Sequence, residues 1–420
     1  MDVGDDLLSG NMKLANSTFP WTEGHPVSLC HGFSSLSNTV DDEGECDISS
    51  LLEVLGKVRD RRGSRGKIYG LAFILAVSLV AVLAGASNFR QIADQVADFS
   101  PLLLRKLGAR WCYFRQVFGR PSGRTIRRVL ESIDADELDL LTGTWLRERA
   151  CRDTDDTLVL AIDGKVLRGS WTGENDKFTL FSAMIHTVGV TVAQVRVPAR
   201  TNEITQVEAL LTGVPERAAK RVVVTMDAAH TQRDTAEHIV AERGFDYVMT
   251  VKGNQPKLSE AVFRKCLPML RESPGNIVEE RARGRINRWS TWIADAAGVD
   301  FPHVRQAGMI RREEFTLSGV RVSSEHARII TSLGTGDMTA ATLHDYVRGH
   351  WGIENKSHHV RDTVWHEDAN QTYVGSGPQV MATLRNMAAG IIRLNDFDMI
   401  KKTTEWICRD RNRALRLLAT

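Results

Sequence analysis

Two nearly continuous apolar runs in the chain each end at an aspartate. The first, from Leu158 to Ile162, precedes Asp163, and the second, from Val222 to Met226, precedes Asp227. Runs of this length and composition, without polar alternation, are typical of strands buried on both faces of a sheet. The pattern therefore predicts that both carboxylates emerge at the end of a buried sheet.

A third acidic residue, Glu354, lies in a segment of helical periodicity. Between Thr339 and Val360, apolar residues recur at a spacing near 3.6 residues, which predicts a helix. A glutamate on a helix that faces two sheet-end aspartates is suited to hold two hard cations, because such ions prefer carboxylate oxygens. The three separated acids indicate a two-metal centre that cleaves phosphodiesters.

The segments around these acids predict an α/β fold. In chain order they are the Asp163 strand, β-type runs at 177–186 and 190–197, a helix at 203–211, the Asp227 strand, a helix at 235–242 and a strand at 247–251. Three strands, a helix, a strand, a helix and a strand is the order of a ribonuclease-H-like mixed sheet. In that fold the acids occupy the first strand, the fourth strand and a later helix, as they do here.

Changes in composition and pattern divide the chain into six predicted regions. They are a disordered acidic leader (1–48), a helical N-terminal domain (49–150), the first part of a ribonuclease-H-like core (151–275), a β-rich insertion (276–335), the core helix that carries Glu354 (336–375) and a basic helical tail (376–420). The leader is predicted from a polar composition without apolar periodicity.

The net charge of +2 conceals an asymmetry between the leader and the rest of the chain. The first 50 residues carry nine acids and one base, so the remaining 370 residues carry a net charge of +10. A basic body favours a polyanionic partner, and an ordinary solvated surface is the alternative interpretation.

In the N-terminal domain, an arginine-rich face follows Pro121-Ser122. This pair can begin a helix that projects Arg124, Arg127 and Arg128 together while the apolar residues between them pack inward. Such a helix resembles the recognition half of a helix-turn-helix, which predicts contact with DNA. An arginine face on a small helix is also common on a plain protein surface.

Three aromatic residues, Trp111, Tyr113 and Phe114, lie among arginines just before this helix. Aromatic side chains next to cations can stack on unpaired bases. The alternative is that they pack in the core of the domain, which is the commoner environment of large aromatic residues.

Cysteine usage and hydropathy favour a cytoplasmic protein. Six cysteines are scattered without a Cys-x-x-Cys pair, which argues against a zinc ribbon or a disulfide framework. The chain shows no signal peptide. The apolar stretch from Tyr69 to Ser87 is long enough for a membrane span, but its Ala and Gly content and the amphipathic sequence after it favour a fully buried helix. No membrane partner is expected.

Five motifs in the chain occur together in a known family. They are Ala161-Ile-Asp-Gly-Lys-Val-Leu-Arg-Gly-Ser, Thr201-Asn-Glu-Ile, Val224-Thr-Met-Asp-Ala-Ala-His-Thr-Gln, Asp246-Tyr-Val-Met-Thr-Val-Lys-Gly-Asn-Gln, and His350-Trp-Gly-Ile-Glu-Asn with Glu367-Asp368. By these motifs the chain resembles the H-repeat-associated branch of bacterial insertion-sequence transposases, which are DDE transposases with a ribonuclease-H-like core. The resemblance covers about residues 50–420.

The resemblance implies that Asp163, Asp227 and Glu354 form the DDE triad and bind two Mg²⁺ or Mn²⁺ ions, with Asp163 bridging both. It also implies metal-dependent strand cleavage at the ends of an insertion sequence and strand transfer into target DNA. The expected partners are double-stranded DNA, as terminal inverted repeats and as target, and further copies of the chain, because two ends must be joined.

Several basic and polar residues are expected to hold DNA. The related glutamate signature has a basic residue seven positions after the glutamate, here Arg361, which lies on the Glu354 face and is expected to reach a phosphate. Four positions before the glutamate, His350 replaces the arginine of the signature. Residues after strands that end near the site are expected to contact the DNA backbone, with surface solvation as the alternative: Lys165, Arg168, Lys252, Asn254 and Gln255.

Two functions other than a transposase are alternatives for this sequence. Glu354 and His358 have the four-residue helical spacing of metal ligands, and three more histidines are nearby, which would suit a zinc hydrolase. That function leaves both aspartates unexplained, and the chain has no His-Glu-x-x-His motif. The second alternative is a non-catalytic DNA-binding protein derived from a transposase, which the intact triad argues against.

Overall fold

The computed structural model describes residues 47–64, 67–152, 157–170, 177–215 and 221–419. The acidic leader predicted at residues 1–48 lies outside these ranges, apart from its last two residues.

The N-terminal region consists of helices and one short hairpin. Its elements are α1 (Ser49–Lys57), α2 (Leu71–Leu83), α3 (Phe89–Ala97), α4 (Pro101–Lys106), β1 (Trp111–Cys112), β2 (Val117–Phe118), α5 (Gly123–Leu130) and α6 (Ala135–Ala150). A polar side chain caps the start of each helix from α3 to α6 by accepting the backbone N–H three residues later. The capping residues are Asn88, Ser100, Ser122 and Asp134.

Helix α2 lies at the centre of this region. All its residues except Ala72 are buried, and it packs against α1, α3 and a long helix near the C-terminus. The apolar stretch from Tyr69 to Ser87 is therefore a buried helix, as its composition predicts. Within the described ranges, no helix has the length and hydropathy that crossing a membrane requires.

The strands from Thr157 onward join in one mixed sheet of nine strands within the described residues. They are β3 (Thr157–Val166), β4 (Thr179–Ile185), β5 (Thr191–Val197), β6 (Arg221–Met226), β7 (Asp246–Val251), β8 (Asn276–Ala282), β9 (Arg285–Asp295), β10 (Gln306–Thr316) and β11 (Arg321–Thr331). Their order across the sheet is β5-β4-β3-β6-β7-β11-β10-β9-β8. The strands β3, β6 and β7 are parallel, and all other neighbours are antiparallel.

The first five strands confirm the predicted fold class. Their order, with an antiparallel β3-β4-β5 meander beside parallel β6 and β7, is that of a ribonuclease-H-like sheet. Helix α7 (Val207–Thr212) lies between β5 and β6. Helix α8 (Arg233–Glu237, continued by a π-helical turn His238–Glu242) connects the parallel strands β6 and β7, as the geometry of a parallel crossover requires. Helix α9 (Pro256–Cys266) follows β7.

The segment predicted as a β-rich insertion continues the core sheet. Its last strand, β11, pairs antiparallel with β7, and Arg328 lies opposite Val251. The strands β8 to β11 are linked by successive antiparallel pairings, so their hydrogen bonds extend the sheet away from the two aspartates.

The C-terminal part is helical. It comprises α10 (Ala340–His350), a π-helical segment (Glu354–His358), α11 (His359–Trp365), α12 (Gly377–Leu394), α13 (Ile400–Arg409) and α14 (Arg413–Leu418). The prediction of a basic tail at 376–420 is wrong for α12, because residues 377–392 are all buried and this helix packs against α2 and α6. Its basic residue Arg385 is buried in an ion pair, which the count of positive charges does not show.

A buried polar cluster joins α6, β5 and α12. Asp139 on α6 is 5% exposed and accepts hydrogen bonds from Gln194, Gln379 and Thr383. Burial raises the pKa of Asp139 to about 7, although these hydrogen bonds favour the ionised form. The cluster therefore holds a carboxyl group that gains a proton more readily in the folded chain than in the unfolded chain.

Asp139→Asn is expected to flatten the pH dependence of stability. Because the pKa rises from 3.8 in the unfolded chain to about 7 in the folded chain, the wild type loses stability as the pH rises through this interval. Relative to the variant, its free energy of unfolding should fall by up to about 4 kcal/mol. Urea unfolding across this pH range measures the difference, and parallel profiles for the two proteins would contradict it.

Candidate active site

Asp163 lies on β3, and Asp227 directly follows β6, the parallel strand beside β3. The register of β3 and β6 pairs Ala161 with Thr225. Asp163 comes two residues after Ala161, and Asp227 comes two residues after Thr225. Asp227 comes directly after β6, and its Oδ1 accepts the backbone N–H of Ala229 at 2.9 Å. This bond orients the carboxylate, and Oδ2 accepts no hydrogen bond from the described residues.

Glu354 approaches the aspartates from the helical segment after α10. The segment Glu354–His358 is π-helical, a local widening that is frequent at functional sites. His358 Nδ1 lies 3.0 Å from Glu354 Oε2 and 3.8 Å from Asp163 Oδ2. One ligand atom from each of these three residues lies within 4.8 Å of the others. The structure thus brings Asp163 and Glu354 together and adds His358, whereas Asp227 lies outside this group.

The site concentrates negative charge. Burial is the main cause that raises the pKa of Asp163 to about 6; His358 opposes this shift, and the charges of Glu203 and Asp227 reinforce it. The pKa of Glu354 is lowered, chiefly by its hydrogen bond with His358. A cation bound among these carboxylates would relieve their mutual repulsion.

Two histidines, the buried His350 and the half-buried His186, attach the glutamate helix to the sheet. His350 Nδ1 and His186 Nε2 lie 3.2 Å and 2.9 Å from the hydroxyl oxygen of Thr225. Burial lowers the pKa of His350 to about 4 and that of His186 to about 3, so both are neutral at physiological pH. Thr225 lies two residues before Asp227, so this contact fixes the end of α10 against the strand that positions Asp227.

Comparison with known proteins identifies the family. A family model described as a transposase DDE domain matches residues 154–391, more than half of the chain. The chain belongs to the DDE transposases. A second model, described as DDE_Tnp_1-associated, matches residues 52–146, which include most of the N-terminal helices.

Relatives of this DDE transposase in Escherichia coli indicate the branch. "Putative transposase YncI" of strain O157:H7 is 29% identical over 357 residues, which cover 82% of this chain and 88% of the relative. "H repeat-associated putative transposase YhhI" of strain K12 is 26% identical over 359 residues, covering 82% and 91%. These similarities confirm the predicted H-repeat-associated branch.

The DDE transposase has a fourth acidic residue at the site, Glu203, for which no role was predicted. The Glu203 carboxylate packs on Gly164, where an added Cβ would lie 1.8 Å from Oε1. Its Oε2 lies 3.5 Å from His230 Nε2. Glu203 therefore touches the residue after Asp163 and a residue of the loop after Asp227. The motif Thr201-Asn-Glu-Ile was the only signal for it in the sequence.

The prediction that Arg361 reaches a phosphate is not supported by its environment. Its side chain is 1% exposed, and its guanidinium binds Glu367 at 2.6 Å and Asn386 at 3.3 Å. Arg385 binds the other oxygen of Glu367 at 2.7 Å. Although burial alone would raise it, the pKa of Glu367 is lowered to about 2 by the two guanidinium groups. Arg361 is a buried structural residue that joins α11 to α12.

The two basic residues after Asp163 differ in accessibility. The Lys165 side chain is 8% exposed, and its Nζ lies 2.6 Å from an Asp362 oxygen. This ion pair attaches β3 to α11 and does not favour the predicted DNA contact. Arg168 is 76% exposed, with Nε 3.6 Å from Asp368, so it stays a candidate for contact with a DNA phosphate.

The residues after β7 support the loop that follows Asp227. Asn254 donates a hydrogen bond to the carbonyl of Ala228 at 2.7 Å, and Gln255 donates to the carbonyl of Thr231 at 3.1 Å. Both side-chain amides therefore hold the loop, and their contact with DNA stays a prediction. Lys252 is half-buried, and its DNA contact stays a prediction.

In the N-terminal domain, the predicted arginine helix is present as α5. Arg124, Arg127 and Arg128 are exposed, and the apolar residues between them are buried. Arg127 pairs with Glu131 at 2.8 Å. The alternative that Trp111, Tyr113 and Phe114 belong to the core is wrong, because all three are exposed.

Arg361→Gln is expected to affect mainly stability, and Arg168→Gln is expected to affect mainly DNA binding. Loss of the buried partner of Glu367 should destabilise the protein by about 3–5 kcal/mol. Loss of the exposed Arg168 should change the free energy of unfolding by about 0.5 kcal/mol or less and weaken DNA binding at low salt.

Chemical unfolding and DNA-binding titrations at two salt concentrations distinguish these roles. A stable Arg361→Gln protein that had lost DNA affinity would contradict the structural role of Arg361.

Proposed function

We propose that this DDE transposase cleaves DNA strands at the ends of an insertion sequence and transfers the freed 3′ ends into target DNA. The single observation that carries this proposal is that Asp163 and Asp227 each follow the register-paired residues of two parallel strands by two positions, with Glu354 beside Asp163. Acid pairs of this kind at the end of a sheet, opposed by a helix-borne acid, are suited to two divalent cations.

The donor set fits hard divalent cations. Carboxylate oxygens predominate, and Asp227 Oδ2 and Glu354 Oε1 accept no hydrogen bond from the described residues. The raised pKa of Asp163 reflects a site in which burial and neighbouring carboxylates disfavour a bare negative charge. A zinc site built on histidines is less suitable, because His350 faces Thr225 and, among the described residues, His358 is the one histidine grouped with Asp163 and Glu354. Mg²⁺ or Mn²⁺ is therefore the proposed cofactor.

Asp163 is the residue that the other ligands share. It lies beside Glu354 and His358, and it also experiences the charges of Asp227 and Glu203. We assign Asp163 as the bridging ligand, with Asp227 and Glu354 each completing one side. Bound as a pair, the cations would activate water or a 3′-hydroxyl group and stabilise the leaving oxygen.

His358 and Glu203 are proposed as positioning residues. His358 holds one oxygen of Glu354 and leaves the other accessible to a ligand. Glu203 contacts Gly164 and His230, so it limits how the two aspartate-bearing segments shift relative to each other. Neither residue needs to contact DNA for these effects.

The proposed DNA partner comprises the terminal inverted repeats of the element and the target duplex. Exposed arginines at two places provide phosphate contacts: Arg168 beside the acidic site, and Arg124 and Arg128 on α5. Joining two ends in one reaction requires at least two active sites, so we propose that the chain acts as a homo-oligomer on DNA.

A non-catalytic DNA-binding protein is the second candidate function. The same arginines would support it, since phosphate binding does not require the acidic site. The retained cluster of Asp163, Glu354 and His358 favours catalysis, because a protein that only binds DNA gains nothing from carboxylates placed next to a polyanion.

Asp163→Asn, Asp227→Asn and Glu354→Gln should each reduce Mg²⁺-dependent nicking of a terminal-repeat duplex by about a thousandfold or more, which corresponds to about 4 kcal/mol in the barrier. Each change removes a negatively charged ligand at nearly constant volume. Asp300→Asn is a matched control, because the Asp300 side chain is 92% exposed. Binding of the duplex by all five proteins, with nicking only by wild type and Asp300→Asn, would establish the triad.

Binding without nicking by the wild type in Mg²⁺ or Mn²⁺ would favour the non-catalytic protein. Nicking that survives all three triad substitutions would contradict the proposed mechanism.

Glu203→Gln should weaken Mn²⁺ binding about tenfold and leave the fold intact, because residues that support metal ligands typically contribute to this extent. Glu208→Gln is a matched control on the same segment, since Glu208 is exposed. Calorimetric Mn²⁺ titration and thermal unfolding measure the two effects. Equal Mn²⁺ affinity for the two variants would show that Glu203 has no part in the site.

A further inference from the structure

The hairpin formed by β1 and β2 presents aromatic rings to solvent. Trp111 pairs with Phe118 across the two strands, and the connecting turn contains Tyr113 and Phe114. Phe114 is fully exposed, Tyr113 is 77% exposed and Trp111 is 40% exposed. Tyr113 and Phe114 gain little burial within this chain, so their rings are available to contact another molecule.

The base of the hairpin is held firmly. Gly119 donates its backbone N–H to the carbonyl of Arg110 at 2.9 Å, and the Tyr69 hydroxyl group donates to the carbonyl of Arg120 at 2.7 Å. The Arg120 guanidinium donates to the carbonyl of Phe99 at 2.8 Å. The exposed rings are therefore carried on a scaffold fixed to the helical domain, which reduces the entropy lost when they bind a partner.

The charge around the hairpin is of one sign. From Phe99 to Leu130 the sequence contains no acidic residue, and it contains seven arginines and one lysine. Arg110 and Arg115 flank the aromatic turn, and both are exposed. Neither forms an ion pair with any acid in the described part of the chain. Exposed arginines in an acid-free segment are complementary to a polyanion.

We propose that this aromatic hairpin stacks on unpaired bases of the DNA substrate, while the arginines beside it bind the adjoining phosphates. Aromatic rings stack on the faces of bases, and guanidinium groups bind backbone phosphates. This one segment can therefore bind both the bases and the phosphates of a single strand. An intact duplex hides its base faces, and binding it would require only the arginines. The inference rests on the proposed function, because it assumes that the substrate is DNA.

The proposed ligand of the hairpin is therefore a stretch of unpaired nucleotides at or beside a DNA end. A protein partner is less suitable, because the nearly isolated rings of Tyr113 and Phe114 form no continuous apolar patch. A second copy of the chain with the same hairpin facing it is disfavoured by repulsion between two basic, acid-free segments.

The test is a binding titration with three labelled DNAs of one sequence: a blunt duplex, the duplex with a four-nucleotide 3′ extension, and the single strand. The wild type should bind the extended duplex more tightly than the blunt one. The double variant Tyr113→Ala/Phe114→Ala should lose about tenfold in affinity for the extended duplex and the single strand. It should bind the blunt duplex as the wild type does.

Two further variants separate stacking from other effects. Tyr113→Leu/Phe114→Leu keeps apolar side chains but removes the aromatic faces, so it should also lose the preference for unpaired DNA. Leu140→Ala, which truncates an apolar residue that is 53% exposed on α6, should behave as the wild type. Thermal unfolding of each variant checks that the fold is kept, as expected for rings that contribute little burial.

Equal affinity of the wild type and the double alanine variant for unpaired DNA would overturn the inference. So would a change in oligomeric state with no change in DNA affinity, since that would assign the rings to contact between copies of the chain. The test measures DNA affinity and oligomeric state and does not depend on nicking. Absence of nicking by the wild type would therefore count against the proposed function without affecting this test.

Discussion

The parallel pairing of β3 and β6 is the constraint on which the rest of the site depends. Their backbone hydrogen bonds place Asp163 and Asp227 at matching positions, and burial together with neighbouring charge makes ionisation of Asp163 less favourable than in water. Like charges in a partly buried site separate unless the backbone prevents it. Strong, short-range hydrogen bonding within the sheet thus maintains an arrangement that electrostatics alone would disperse, and that arrangement is what a divalent cation requires.

Glu354 reaches this pair through contacts that lie away from the carboxylates. Thr225 joins His350 to the strand before Asp227, and Glu367 holds Arg361 and Arg385 in a fully buried ion pair between α11 and α12. Buried ion pairs add little net stability compared with apolar packing, but an unpaired member is very costly, so they specify one arrangement of the helices. The position of Glu354 is therefore a consequence of the packing of the C-terminal helices, including α12, which lies in the core.

Apolar periodicity was sufficient to predict the strands that carry Asp163 and Asp227, the helix that carries Glu354 and the ribonuclease-H-like order. These features depend on which side chains leave water, and this is visible locally in a sequence. The environments of polar residues were not visible in the same way. Arg361 has the spacing of a phosphate contact, but its partner Glu367 is close only in the folded chain. Glu203 is far from Gly164 in sequence and contacts it only in the folded chain, and the exposure of the aromatic residues near Trp111 depends on a short hairpin that their apolar character does not predict.

Binding of a pair of divalent cations by the acidic cluster on DNA can be measured by electron paramagnetic resonance of Mn²⁺ added to the protein bound to a terminal-repeat duplex. We expect two magnetically coupled Mn²⁺ ions, about 4 Å apart, whose coupled signal disappears in Asp163→Asn because the shared ligand is lost. An uncoupled Mn²⁺ signal that is the same in wild type and Asp163→Asn would contradict the assignment of this site as the catalytic centre.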